Sequence, residues 1–144
     1  MSTLHPLYAG GFLVKSVDKE GKVFDTISRM DCENDEGVTL VLDVHSGLFT
    51  VKERDNIEVT IYTAQSSGKE KFVYDPAKLD FIRGSACDYV MCGRVFKFEP
   101  SKDESVLKVF ISFGGLMCQF EGPVEKFTEF KLDDVVYIML ASRT

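Results

Sequence analysis

The chain has 144 residues, 44% of them apolar and including 12 phenylalanines and 5 tyrosines, which is enough for one substantial core and predicts a single domain spanning 1–144. A formal charge of -6 opposes a protein whose main task is to grip a phosphate backbone, because non-specific affinity there comes largely from Lys and Arg. Apolar runs are only a few residues long, and Lys15, Asp18 and Lys19 interrupt the N-terminal segment, so the sequence predicts neither a membrane span nor a signal-peptide core but a soluble, intracellular protein.

Period-2 alternation dominates from the start of the chain. "GFLVKSV" at 11–17 reads as the first strand and "KVFDTISRMDCE" at 22–33 as the second, with the alternation breaking between Phe24, Ile27 and Met30 as at a bulge or bend. "VTLVLDV" at 38–44 puts Val38, Leu40, Leu42 and Val44 on one face, "LFTV" at 48–51 reads as a short strand, and "IEVTIYT" at 57–63 aligns Ile57, Val59 and Ile61. Residues 65–86 break this rhythm and are read as a long surface loop, in which Phe72, Tyr74, Leu79, Phe81 and Ile82 could fold part of the excursion back as an Ω-loop. "DYVMCGRVFKFE" at 88–99 and "VVYIMLA" at 135–141 are further strands, the latter apolar on both faces. Turn chemistry joins these runs at "DKEG", "ENDEG", "HSG", "ERDN" and "EPSKDES", and only "PVEKFTEF" at 123–130 resembles a short helix. The fold class is all-β, an antiparallel barrel or sandwich.

The stretch "FISFGGLMCQFEG" at 110–122 constrains the register. If Gly114 and Gly115 form a two-residue hairpin turn, Phe113 lies opposite Leu116, Ile111 opposite Cys118, Val109 opposite Phe120 and Leu107 opposite Gly122, all on one apolar face. Lys108 then meets Glu121 on the other. A loop one residue longer opposes Val109 to Glu121 and buries charge, so the two-residue turn is favoured. The glycines lack GxGxxG and GxxxxGK[ST] spacing and run into a strand, not a helix N-terminus, which argues against a phosphate loop.

Groups for catalysis are sparse. His5 lies near the N-terminus and His45 in the turn "HSG", where a lone histidine is ordinarily solvated; GxSxG, HExxH and Cys-His patterns are missing. Cys32, Cys87, Cys92 and Cys118 lack the close CxxC pairing of structural zinc sites, and Cys87 and Cys92, five apart in a strand, would point to opposite faces. The sequence predicts no enzyme, no metal and no small-molecule substrate, with a small-ligand β-barrel carrier as a third reading. Tyr62, Tyr89, Phe96, Phe98 and Phe110 in strands, with Arg94 and Lys97 nearby, leave a standalone single-strand nucleic-acid binder as the alternative, although core packing accounts for most strand aromatics. The more suggestive set points away from the interior: Phe110 and Met117 from the hairpin register, and Val41 by alternation with Leu40 and Leu42. Outward apolar residues, like the second face of "VVYIML", need either a covering element, such as 123–130 or a loop, or a protein partner.

Taken together, "GKVFDTISRMDCEN", "LVLDV", "YVMCGRVFKFE", "FISFGGLMCQFEG" and "VVYIML" resemble, in order and spacing, the eighth common subunit of the eukaryotic nuclear RNA polymerases, over most of residues 11–141. The resemblance implies an OB-fold-like antiparallel Greek-key barrel with a long Ω-loop. It implies a non-catalytic assembly subunit of polymerases I, II and III, in the nucleus and nucleolus, docked on the largest subunit among other polymerase subunits, without a cofactor and without direct nucleic-acid contact. Ala9 and Gly10 stand where relatives carry an acidic pair, Lys69, Lys71, Lys78 and Arg83 make the 65–86 loop more basic, and Cys92 and Cys118 replace bulkier residues.

Overall fold

A computed structural model describes residues 6–18, 21, 26–63 and 88–143. Eight strands form a closed antiparallel barrel: β1 (Pro6–Val17), β2 (Ile27–Glu33), β3 (Thr39–His45), β4 (Asn56–Thr63), β5 (Tyr89–Pro100), β6 (Val106–Phe113), β7 (Leu116–Pro123) and β8 (Val135–Ser142). Around the barrel the order is β1-β2-β3-β7-β6-β5-β8-β4, returning to β1. β3 therefore lies beside β7, and β8 between β4 and β5, pairings between strands far apart in the chain that no local pattern announces. Closure leaves this sheet without a free edge strand.

The alternation expected from the sequence fills the interior. Val38, Leu40, Leu42 and Val44, then Ile57, Val59 and Ile61, are buried in one cluster with Val109, Ile111, Phe113, Cys118 and Phe120. β8 is buried on both faces: Val136, Ile138 and Leu140 join the interior, while Val135, Tyr137 and Met139 form a second cluster against Tyr62, Val90 and Cys92. That outer face is buried within the chain and is not open to a partner. The helix-like segment proves to be one 3₁₀ turn, Val124–Phe127, after Pro123. It does not lie over β8. Instead Phe127 and Phe130 join the interior beside Phe120 and Tyr8, with ring centroids 5.9–6.4 Å apart across these pairs.

Three sequence expectations need correction. "LFTV" is not a strand, because Leu48 N and Phe49 N both donate to His45 O, at 2.9 and 3.0 Å, and wind the chain back just after β3. Phe49 is thereby buried, stacked on Tyr89 at 5.6 Å, and Leu48 is left 69% exposed. The first strand begins at Pro6 and carries Ala9 and Gly10 within it, since pairing with β4 from Pro6↔Tyr62 to Leu13↔Asn56 supplies a ladder that offsets the weak strand preference of two glycines. No irregularity interrupts β2 against β3 between Ile27↔His45 and Glu33↔Thr39; the β1–β2 shift is on β1, between Val14 and Ser16. Phe24, His5, Cys87 and the 65–86 segment lie outside the described residues.

Candidate docking surface

The β6–β7 hairpin has the expected register at every pair, from Leu107↔Gly122 through Lys108↔Glu121, Val109↔Phe120 and Ile111↔Cys118 to Phe113↔Leu116. Gly114 and Gly115 have φ of 64° and 97°, the two positive values that a tight type I′ connection requires and that a side chain would resist. Gly115 N donates to Ser112 Oγ at 3.3 Å, so the tip is closed by its own strand.

That register sends Phe110 and Met117 outward, both half-buried. Phe110 stands opposite Gln119 on β7, and Gln119 opposite Val41 on β3, which puts Val41 and Phe110 two strand spacings apart, about 10 Å. Met117 lies two residues along β7 from Gln119 and opposite Ser112. The three residues taken from alternation thus share one face of β3, β7 and β6.

Asp43 locks this face. It lies on the outer side of β3, is only 7% exposed, and receives Arg29 Nε at 2.7 Å and Arg29 Nη2 at 3.1 Å. Its Oδ2 also accepts the Met117 backbone N–H at 3.0 Å, just past the last β3–β7 pair, Leu42↔Cys118. A forked, charge-assisted pair plus a backbone bond ties β2, β3 and β7 together where the ladder ends. The Asp in "LVLDV" is the only sequence signal for this, and alternation alone does not reveal its partners.

Two more outward residues arise where alternation fails. The β5–β6 register shifts between Val95↔Ile111 and Lys97↔Phe110, so that Phe96 and Lys97 both stand beside Phe110 while Val95 and Phe98 stay on the interior side. Of the other aromatics considered for base stacking, Tyr89 and Phe98 pack with the interior and Tyr62 against the outer β8 cluster.

No group of three His, Cys, Asp or Glu able to hold a metal occurs among the described residues. His45 is the half-buried last residue of β3 and not a solvated turn residue; its backbone N–H donates to Tyr89 Oη at 3.0 Å, bridging β3 and β5 where no ladder joins them. Burial pushes the Cys32 thiol up to about 12, with the Asp31 charge adding to it, and holds Cys118 well above the ordinary thiol range. Both stay protonated and unreactive at neutral pH. Because the folded-state value is raised, the stabilisation from keeping Cys32 neutral is complete below the free-thiol value of about 8.5 and is lost as pH rises towards about 12. Thermal melts across that range are expected to show falling midpoints, with a shallower fall in Cys32→Ala; an unchanged slope would refute the assignment.

A family model described as RNA polymerase Rpb8 matches residues 10–142, nearly the whole barrel. The chain belongs to the RNA polymerase Rpb8 family. Its Rpb8-family relatives include the "Probable DNA-directed RNA polymerases I, II, and III subunit RPABC3" of Caenorhabditis elegans, 30% identical over 135 residues that cover 90% of each chain. The RPABC3 subunit of Schizosaccharomyces pombe is 31% identical over 130 residues, again 90% of both chains. That of Dictyostelium discoideum is 30% identical over 138 residues, 93% of this chain and 95% of the relative. The match bears out the resemblance read from the ordered motifs, and with it the all-β barrel. An Rpb8-family chain is a polymerase component, not the catalyst.

Proposed function

We propose that this chain is the shared, non-catalytic Rpb8-type subunit of RNA polymerases I, II and III, a single-domain barrel that supports assembly by docking on the largest subunit in the nucleus, including the nucleolus. The observation that carries this reading is the family match across residues 10–142, reinforced by relatives matched over about 90% of both chains whose names place them in all three polymerases. The face we assign to docking is the one bearing Val41, Phe110 and Met117, because it combines half-buried apolar side chains with a backbone clamped by Asp43 and Arg29. A rigid surface loses little freedom on association, so its apolar contacts count more fully towards affinity.

Affinity purification of the tagged chain followed by mass spectrometry tests the subunit reading, with the large subunits of all three polymerases as the expected co-purifying proteins. Recovery without any polymerase subunit refutes it. Phe110→Asp and Met117→Asp test the face: each is expected to weaken association by about 2 kcal/mol, roughly 30-fold, if it removes an interface anchor. Their melting midpoints should stay near that of the parent, since both side chains point out of the barrel. Normal incorporation of both variants would place the interface elsewhere.

A further inference from the structure

The bulge in β5 gives the outer face a chemistry that Val41, Phe110 and Met117 alone do not have. Phe96 is 43% exposed, its ring centroid is 6.1 Å from that of Phe110, and Lys97 Nζ lies 5.3 Å from the Phe110 ring centroid. The aromatic pair, its rings tilted at 49° to each other, offers an apolar seat, and Lys97 beside it keeps its side chain 54% exposed. Arg94 is exposed on the same strand, its guanidinium donating to Asp133 O at 3.2 Å. Lys108 is on β6, diagonal to the pair.

Charge on this face runs against that of the chain. β5 and β6 carry Arg94, Lys97 and Lys108 against Glu99, which both lysines share at 3.2 and 3.8 Å, and Glu121 opposite Lys108 on β7 leaves the cations ahead by one, while the chain as a whole stands at -6. On β2 and β3, by contrast, Asp31, Glu33 and Asp43 outnumber Arg29. A small local excess of cations around an exposed and a half-buried ring is complementary to carboxylates flanking an apolar side chain.

We infer that the Phe96–Lys97–Phe110 cluster takes an acidic segment of a neighbouring polymerase subunit, with carboxylates meeting Lys97 and Arg94 and an apolar side chain seated on the two rings. This rests on the subunit reading above and adds the chemistry of the partner to it. Three cations, two of them already sharing Glu99, are too few to hold a phosphate backbone, whose affinity depends on how many phosphates are neutralised. An acidic peptide needs only one or two such contacts once the rings are covered.

The test uses the tagged full chain in assembled polymerase. Lys97→Glu combined with Arg94→Glu is expected to lower recovery of the large subunits by roughly tenfold, with Lys97→Arg near the parent, because like charge repels the acidic segment. A photocrosslinking p-benzoylphenylalanine placed at position 96 is expected to capture a polymerase peptide rich in Asp or Glu. Undiminished recovery of the charge-reversed variant, or a crosslinked peptide without acidic residues, overturns the inference while the subunit reading stands. Failure of the parent chain itself to recover polymerase overturns both. If the purified chain binds a labelled single-stranded oligonucleotide and loses that binding in Phe96→Ala and Lys97→Glu, the cluster is a nucleic-acid site and the acidic-segment inference falls.

Discussion

Phe120→Ala is expected to destabilise the barrel by about 3–5 kcal/mol, the range for deleting a buried aromatic ring whose neighbours cannot collapse into the space. Phe120 is fully buried, and its ring lies 5.3 Å from Tyr8, 6.4 Å from Phe12, 6.0 Å from Phe127 and 6.4 Å from Phe130. Those partners come from β1 and from the segment after β7, so the void would open where the 3₁₀ turn is fastened to the barrel. Urea unfolding of the purified variant measures the loss. A change under about 1 kcal/mol would mean that the aromatic cluster is not close-packed in the way the ring distances indicate. The useful contrast is Phe96→Ala, which removes an exposed ring and should alter stability by less than about 0.5 kcal/mol. Loss of assembly with Phe120→Ala would therefore reflect folding, whereas loss with Phe96→Ala would reflect docking.

Gly93→Ala is expected to cost about 3 kcal/mol, at the upper end of the overpacking range. A Cβ at Gly93 would sit 2.2 Å from Ser112 O, 2.5 Å from Phe113 Cδ1 and 2.9 Å from Phe113 Cα. Two of those three atoms are backbone, so no rotamer change clears them; β5 and β6 would have to separate. Arg94↔Ser112 is the first β5–β6 pair, and it would be the first lost. At roughly 3 °C per kcal/mol for a chain of this size, the melting midpoint should fall by about 10 °C. A midpoint within a degree or two of the parent would show that the strands can part without penalty. Glycine inside a strand pattern is a sign of close backbone approach, so "MCGRV" flags the position, but which backbone approaches follows only from the fold.

The face proposed for docking divides in the same way. Phe110 and Met117 were legible because a two-residue turn at Gly114 and Gly115 sets one register for β6 and β7, and Val41 because alternation with Leu40 and Leu42 turns it outward on β3. Phe96 and Lys97 were not, because the extra residue in β5 resets the alternation, and a bulge leaves no mark in a run such as "RVFKFE". "LFTV" misled for a related reason. Four apolar-alternating residues are compatible with a strand, but two N–H groups on His45 O made a turn of them.

From the amino-acid order alone came the all-β class, the inward set of the strands, the hairpin tip without ligand chemistry and the family. Each depends on neighbours in sequence: alternation on a pleated strand, glycines that accept positive φ, and motifs in fixed order. Tertiary structure alone decided the pairing of β3 with β7 and of β8 with β4 and β5, the burial of β8 on both faces, the Asp43–Arg29 clamp and the cationic aromatic cluster at Phe96. Those features arise between residues at least a dozen positions apart, brought together by strand pairing, by barrel closure and by one inserted residue in β5. The glycine pair at 114 and 115 sets which side chains face out; closure of the barrel decides which of them meet.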